Sequence, residues 1–198
     1  MAEKRIGITG GIGAGKSAVT DHLRAKGFVV IDADEVQRES TRPGEIAMLR
    51  LEEEIGDDIF LEDGELDRPK LADLMFSDPG ILYIVNLILH SDIRERMERK
   101  ISEEEGVVFL SIPLLFESYE RWHCDSVWLV AADEGTRLSR TMARDNASEE
   151  AIRARMAAQM PEEEKRDLAD VIIENNGSLN ELYERIDKQL LQQNLLGE

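Results

Sequence analysis

Ile6-Gly7-Ile8-Thr9-Gly10-Gly11-Ile12-Gly13-Ala14-Gly15-Lys16-Ser17 decides how this chain is read. A short β-branched run passes into a glycine-rich stretch of the form G-x-x-x-x-G-K-S, and an amphipathic segment follows. Strand, loop and helix in that order make a cradle for a polyphosphate. The glycines let successive backbone N–H groups turn toward one anion with no side chain in the way. The helix start adds donors that lack intrahelical partners, and a partial positive charge. Lys16 can reach the β- and γ-phosphates, and the Ser17 hydroxyl can ligate Mg²⁺. The stretch therefore implies bound ATP or GTP, with Gly11, Gly13, Ala14, Gly15, Lys16, Ser17 and Ala18 around the phosphates. The fate of the γ-phosphate has to be read from the rest of the chain.

Composition narrows the setting. At 198 residues the chain suits one α/β domain with room for a small insertion. No apolar run approaches the roughly 18 residues that span a bilayer, and Met1-Ala2-Glu3-Lys4-Arg5 leads into glycines rather than a signal-peptide core. Cys124 is the one cysteine, which excludes an internal disulfide and reads as a small buried residue rather than a nucleophile. These features point to the cytoplasm. A formal net charge of −18 argues against non-specific nucleic-acid binding, which needs a basic surface. It also requires the positive charge to be concentrated where the phosphates lie.

Along the chain, strands and helices alternate. The first strand is read at 4–9 and the loop helix at 15–26, with Val19 and Leu23 on its buried side. Phe28-Val29-Val30-Ile31 is a continuously apolar run of the buried parallel type, and it ends in Asp32-Ala33-Asp34. Residues 43–105 carry no strand pattern. There Pro43 suits the first turn of a helix bearing Ile46, Leu49 and Ile55. After breaks at Asp63-Gly64 and Asp78-Pro79-Gly80 comes a long helix with a stripe of Leu82, Val85, Leu89, Ile93, Met97 and Ile101. Strands follow at Val107–Leu110, Val127–Val130 and Val171–Ile173. Asp133 is placed to cap a helix, as are Ser148 and the Ser178–Glu181 capping box. The expected fold is a three-layer α/β domain with a five-stranded parallel sheet over residues 1–198. Its core is read at about 1–42, 106–136 and 167–198, with a helical acceptor-side insertion at about 43–105 and a lid at about 137–166.

Three features can complete the chemistry. Asp32 and Asp34 end the second strand, where a carboxylate facing a hydroxyl can take or orient its proton. In extended chain the two side chains would share a face, although a turn at Ala33 would change that, and helix capping is the other use of such a pair. Arg137, Arg140 and Arg144 recur at helical spacing on one face, either to meet a transferring phosphoryl group or to pair with nearby acids in solvent. Asn175-Asn176-Gly177 reads as a turn after the last strand.

Together with Val30-Ile31-Asp32-Ala33-Asp34, Ile112-Pro113-Leu114-Leu115-Phe116-Glu117, Arg140–Asp145, Gln159 and Asn175-Asn176-Gly177, the loop resembles the dephospho-CoA kinase family in order over about residues 5–190. The resemblance implies Mg²⁺-dependent transfer of the ATP γ-phosphate to the 3′-hydroxyl of dephospho-CoA. It puts the catalytic base at Asp34 beside Lys16, with Arg38 near the acceptor. It assigns His90, Leu115 and Phe116 to the acceptor side, and Arg140 or Arg144 to the lid. It brings Asn175, Asn176 and Gly177 near adenine. Metal contacts fall to Ser17 and, through water, Asp32. The chain departs from the family pattern at Ala18, where Thr is usual, at Ser91, where Pro follows the His, and at Ser111, where Asp is frequent. Another small-molecule kinase of this architecture, acting on a nucleoside, a nucleotide or shikimate, is the nearest alternative. A switch GTPase is the alternative of another class, but N-K-x-D and D-x-x-G are both missing from the sequence.

Overall fold

The computed structural model describes residues 2–118 and 122–195. Five strands, β1 (Ala2–Thr9), β2 (Val29–Asp32), β3 (Gly106–Ser111), β4 (Ser126–Ala131) and β5 (Val171–Glu174), form one sheet in the order β2-β3-β1-β4-β5. β1 runs parallel to both β3 and β4, and β4 runs parallel to β5. Parallel strands need crossovers, which bury both faces and explain the uninterrupted apolar runs. The helices are α1 (Lys16–Ala25), α2 (Ala33–Ser40), α3 (Ile46–Ile55), α4 (Arg68–Ser77), α5 (Pro79–Glu103), α6 (Glu134–Asp145), α7 (Glu149–Ala157), α8 (Glu162–Leu168) and α9 (Leu179–Gln192).

Contacts divide the chain into two compact units, residues 1–30 with 104–198, and residues 31–103. In the first, strand alternation sends Ile6, Ile8, Phe109, Trp128, Val130 and Ile173 to one face of the sheet, where α1 supplies Val19 and Leu23. α9 completes this core with Leu182, Ile186 and Leu190, at i, i+4 and i+8. The opposite face is equally dry, since Leu110 and Leu129 are fully buried. The α9 start is the expected capping box, with Ser178 accepting from the Glu181 N–H and Glu181 from the Ser178 N–H.

The second unit is helical, with an isolated antiparallel bridge between Phe60 and Leu66. Several details differ from the expectation. Pro43 does not open α3; it sits in a turn closed by the Glu45 N–H to the Arg42 carbonyl at 3.2 Å, and Glu45 is the helix N-cap. Ile46 and Leu49 are exposed, while Ala47, Met48 and Leu51 make the core. The helix is apolar on more than one side, so its neighbours choose the buried face. The same holds for α5, where Leu82 is exposed and Val85, Ile88, Met97 and Ile101 are buried. Asp92 is buried among them because Arg96 binds it at 2.6 Å and joins it to Glu45 at 2.6 Å. The sequence reading did not anticipate α2 or α4, although Asp67 caps α4 through the Lys70 N–H and Pro69 lies in its first turn.

One ion cluster ties α1 to α9: Asp187 accepts from Lys26 at 2.7 Å and meets His22 Nε2 at 2.8 Å, with His22 stacked on Tyr183. Burial pushes the Asp187 carboxyl up, but the Lys26 and His22 hydrogen bonds and their charge outweigh it, so its pKa lies below the ordinary value. A carboxyl depressed by folding stabilises above its unfolded pKa, and that stabilisation is lost as pH falls through the folded one. Thermal melts of the parent and Asp187→Asn should therefore differ most near pH 7, begin to close near roughly pH 3.9, the unperturbed Asp value, and converge only below the lower folded pKa. A gap that persists undiminished in acid would refute the electrostatic account.

Candidate active site

The phosphate loop bridges β1 and α1 and turns on itself through the Ala14 N–H to the Gly11 carbonyl at 3.0 Å. Two of its residues have φ in the left-handed region, Gly13 at 77° and Gly15 at 95°. Space demands glycine there as well. A Cβ on Gly13 would strike the Arg137 carbonyl and the Thr141 hydroxyl of α6, and one on Gly15 would strike the Asn175 amide. Any side chain at either position would push the loop off its supports.

Those supports come from two strand ends and from the turn between α7 and α8. Asn175, which follows β5 and is 3% exposed, donates from Nδ2 to the Ala14 carbonyl at 2.7 Å. Gln159, between α7 and α8, accepts the Ile12 N–H at 3.0 Å. Lys16 Nζ donates to the Ser111 hydroxyl at the end of β3. The departure at Ser111 thus puts a neutral hydroxyl next to the loop lysine, where Asp would have formed an ion pair. Ser17 is exposed at the first turn of α1, its carbonyl accepting the Thr20 hydroxyl at 2.9 Å. Ala18 is half-buried and packs against the core.

The arginines of α6 have separate partners. Arg137 lies over Gly11, with Nη1 3.8 Å from Glu162. Arg140 donates from Nη1 to the Asn175 carbonyl at 2.8 Å, joining α6 to the brace of the loop. Arg144 is exposed and grips Asp145 through Nε at 2.6 Å, and Arg155 reaches the same carboxylate at 2.9 Å. The Arg144 and Arg155 hydrogen bonds lower the Asp145 carboxyl to about 2. Asp133 occupies the N-cap position of α6, yet its side chain makes no cap bond. Its N–H instead donates to Asn176 Oδ1 at 2.7 Å, so the Asn175-Asn176-Gly177 segment clasps both the loop and the start of α6. Gly177 packs against the Glu181 carboxylate of the capping box.

In the helical unit, Asp32 caps α2, accepting from the Asp34 and Glu35 N–H groups at 2.9 and 3.3 Å. The helix begins at Ala33, so Asp32 and Asp34 do not share an extended face. Asp34 is exposed in the first turn of α2. Arg38, one turn later, is also exposed and donates from Nε to the Asp34 carbonyl at 3.1 Å. His90 is exposed on α5. Ser91 beside it donates to the Leu87 carbonyl at 2.7 Å, and α5 runs on unbroken where a proline would have removed a backbone donor.

Leu115 is buried at 9% exposure, close to the β1 backbone at Gly7, and Phe116 is half-buried. Cys124 packs on the same glycine, and burial raises its thiol to about 11. Residue-by-residue reading missed the Gln159, Thr141 and Ser111 contacts with the loop. Each is a single polar residue far away in sequence, and nothing local marks its target.

The geometry is that of a loop wrapped for a polyphosphate, with arginines on an adjoining helix. The family profile described as dephospho-CoA kinase matches residues 4–181. A dephospho-CoA kinase of Streptococcus pneumoniae is 42% identical over 187 residues, covering 92% of each chain. A Thermus thermophilus crystal structure superposes with a TM-score of 0.84 at 41% identity, covering 100% of both chains. A dephospho-CoA kinase from Campylobacter jejuni gives 0.62 at 25% identity, covering 96% of both. The chain belongs to the dephospho-CoA kinase family of ATP-dependent kinases.

Proposed function

We propose that the chain transfers the γ-phosphate of ATP to the 3′-hydroxyl of dephospho-CoA, the last step of coenzyme A synthesis, in the cytoplasm. The carrying observation is the phosphate loop, complete in Gly13, Gly15, Lys16 and Ser17 and braced by Asn175 and Gln159, in a chain matched to this family over residues 4–181. Among the described residues no helix is long and apolar enough to cross a membrane.

Lys16 and the loop amides hold the β- and γ-phosphates, and Lys16 exchanges its Ser111 contact for phosphate oxygens. Mg²⁺ fits a donor set in which the Ser17 hydroxyl supplements phosphate oxygens, because this hard cation prefers oxygen and keeps much of its shell. It would neutralise charge developing on the phosphates. The Asp32 carboxylate already serves the α2 N-terminus, which suits a contact to the metal through water rather than a direct ligand. Asp34 orients the 3′-hydroxyl and accepts its proton, with Arg38, His90, Leu115 and Phe116 on the acceptor side. Residues 137–166 act as the lid over the core. Arg140, fixed on Asn175, holds the nucleotide end of the site with Asn175, Asn176 and Gly177. Arg144, at the surface, swings to the γ-phosphoryl group as water is excluded.

Incubation with ATP, Mg²⁺ and dephospho-CoA should yield a product heavier by one phosphoryl group by mass spectrometry. Turnover only with a nucleoside, a nucleotide or shikimate would replace this reading with the related-kinase one, and strict preference for GTP would favour a switch. Asp34→Asn should lower kcat by roughly 10²- to 10⁴-fold, the span of general-base catalysis, with the ATP KM nearly unchanged; near-full turnover would remove Asp34 from the mechanism. Steady-state kinetics should also separate the arginines. Arg144→Ala lowers kcat, whereas Arg140→Ala raises the ATP KM as well, because it also loosens Asn175. Equal, small losses in both would contradict these roles.

A further inference from the structure

The return limb of the lid is fastened at two consecutive residues. The Gln159 side-chain oxygen accepts the Ile12 N–H of the phosphate loop at 3.0 Å, and the next N–H, that of Met160, donates to Glu117 Oε1 at 3.1 Å. Glu117 ends the Ile112–Glu117 segment after β3. The same oxygen lies 2.8 Å from Lys165 Nζ, on α8. Lys165 is 1% exposed. Lysines are almost never buried so deeply unless paired, and this one sits in a Glu-Glu-Glu-Lys-Arg-Asp string that reads as a solvated face.

Stability alone is a poor reason for such a pair, because desolvation of the two charges offsets most of their attraction. What the pair supplies is one permitted geometry. It pins the first turn of α8 to the segment after β3, and Gln159–Met160 lies between the two anchors. A second tie joins the same segment to the strand before the loop, the Thr9 hydroxyl donating to the Pro113 carbonyl at 3.1 Å. The neighbouring Arg137–Glu162 pair is looser at 3.8 Å. Arg137 Nε and both Glu162 carboxylate oxygens lack hydrogen-bond partners among the described residues. Lys165 Nζ and Glu117 Oε2 likewise make no hydrogen bond among the described residues, so Glu117–Lys165 is an ion contact, and it is the firmer anchor by its 2.8 Å separation.

The geometry points to Lys165 and Glu117 as positioning residues for nucleotide binding: their buried pair holds Gln159, and Gln159 sets the orientation of the Ile12 peptide in the phosphate loop. Turning that peptide would carry Gly13, held at φ 77°, and the amides after it away from a bound phosphate. The inference rests on the kinase reading above and deepens it by naming what shapes the donor site.

The test is calorimetric titration of adenylyl imidodiphosphate with Mg²⁺ into the parent, Lys165→Met, Gln159→Leu and their double variant, with KM values for dephospho-CoA alongside. Each single change should weaken nucleotide binding about tenfold, the scale of one hydrogen bond to a loop amide. The double should be no weaker than the worse single, since both cut one strap. The dephospho-CoA KM should stay within about twofold of the parent in each. A Lys165→Met protein that melts lower yet binds nucleotide like the parent would reduce the pair to packing and overturn the proposal, as would additive losses. Should Lys165→Met fail to fold, Gln159→Leu lies outside the ion pair, and Glu117→Gln keeps an oxygen for the Met160 N–H. Parent-like nucleotide binding in both would equally overturn it. Failure of the kinase reading itself would look different, because the parent would then not phosphorylate dephospho-CoA.

Discussion

The hydrogen bond from the Asn175 amide to the Ala14 carbonyl is the contact on which the shape of the glycine-rich loop depends. A loop of glycines has little to hold its shape, because each glycine gives up more conformational freedom on folding than any other residue. Its backbone polar groups must also find partners once they are buried. Asn175 meets both needs from a position 3% exposed, after the last strand of the sheet. The low dielectric around it strengthens the bond and makes its loss costly. Gln159 and Ser111 add ties from the turn between α7 and α8 and from the end of β3. The parallel sheet brings Asn175 and Ser111 to one edge, since parallel strands deliver their carboxyl ends there.

Charge is managed by pairing rather than by a basic surface. With a formal net charge of −18, each of these arginines has a local partner: Arg140 donates to the Asn175 carbonyl, Arg144 to Asp145 and Arg166 to Glu174, while Arg137 has the Glu162 charge 3.8 Å away. An exposed ion pair of the Arg144–Asp145 kind is worth little net free energy. Arg144 can therefore leave Asp145 at small cost, and Arg155 remains to pair with that carboxylate. Arg140 is part of a buried brace and is much less free to leave. Position on one helix face does not give two arginines the same role.

Parts of the fold were legible because their cause is local. The strand-loop-helix run at 2–25, the apolar strands and the Ser178–Glu181 box each follow from neighbouring residues. α2 was not read, because Asp32-Ala33-Asp34 serves equally as a strand end or as a cap, and only the hydrogen bonds to Asp32 decide between them. In α3 and α5 the apolar residues surround the helix, so periodicity names a helix but not its buried face. Ile46, Leu49 and Leu82 are exposed for that reason.

The sequence alone determined that this chain has a glycine-rich G-x-x-x-x-G-K-S loop between a strand and a helix, and the family whose motifs recur in order. Those rest on residue identity and short spacing, which survive without coordinates. Tertiary structure alone decided that Asn175 and Gln159 brace the loop, that Arg140 and Arg144 have different partners, and that Lys165 is buried against Glu117. Apart from Arg144 with its neighbour Asp145, each of these contacts joins residues 35 to 161 positions apart. Such pairings depend on where the parallel crossovers return the chain, and no local pattern encodes that.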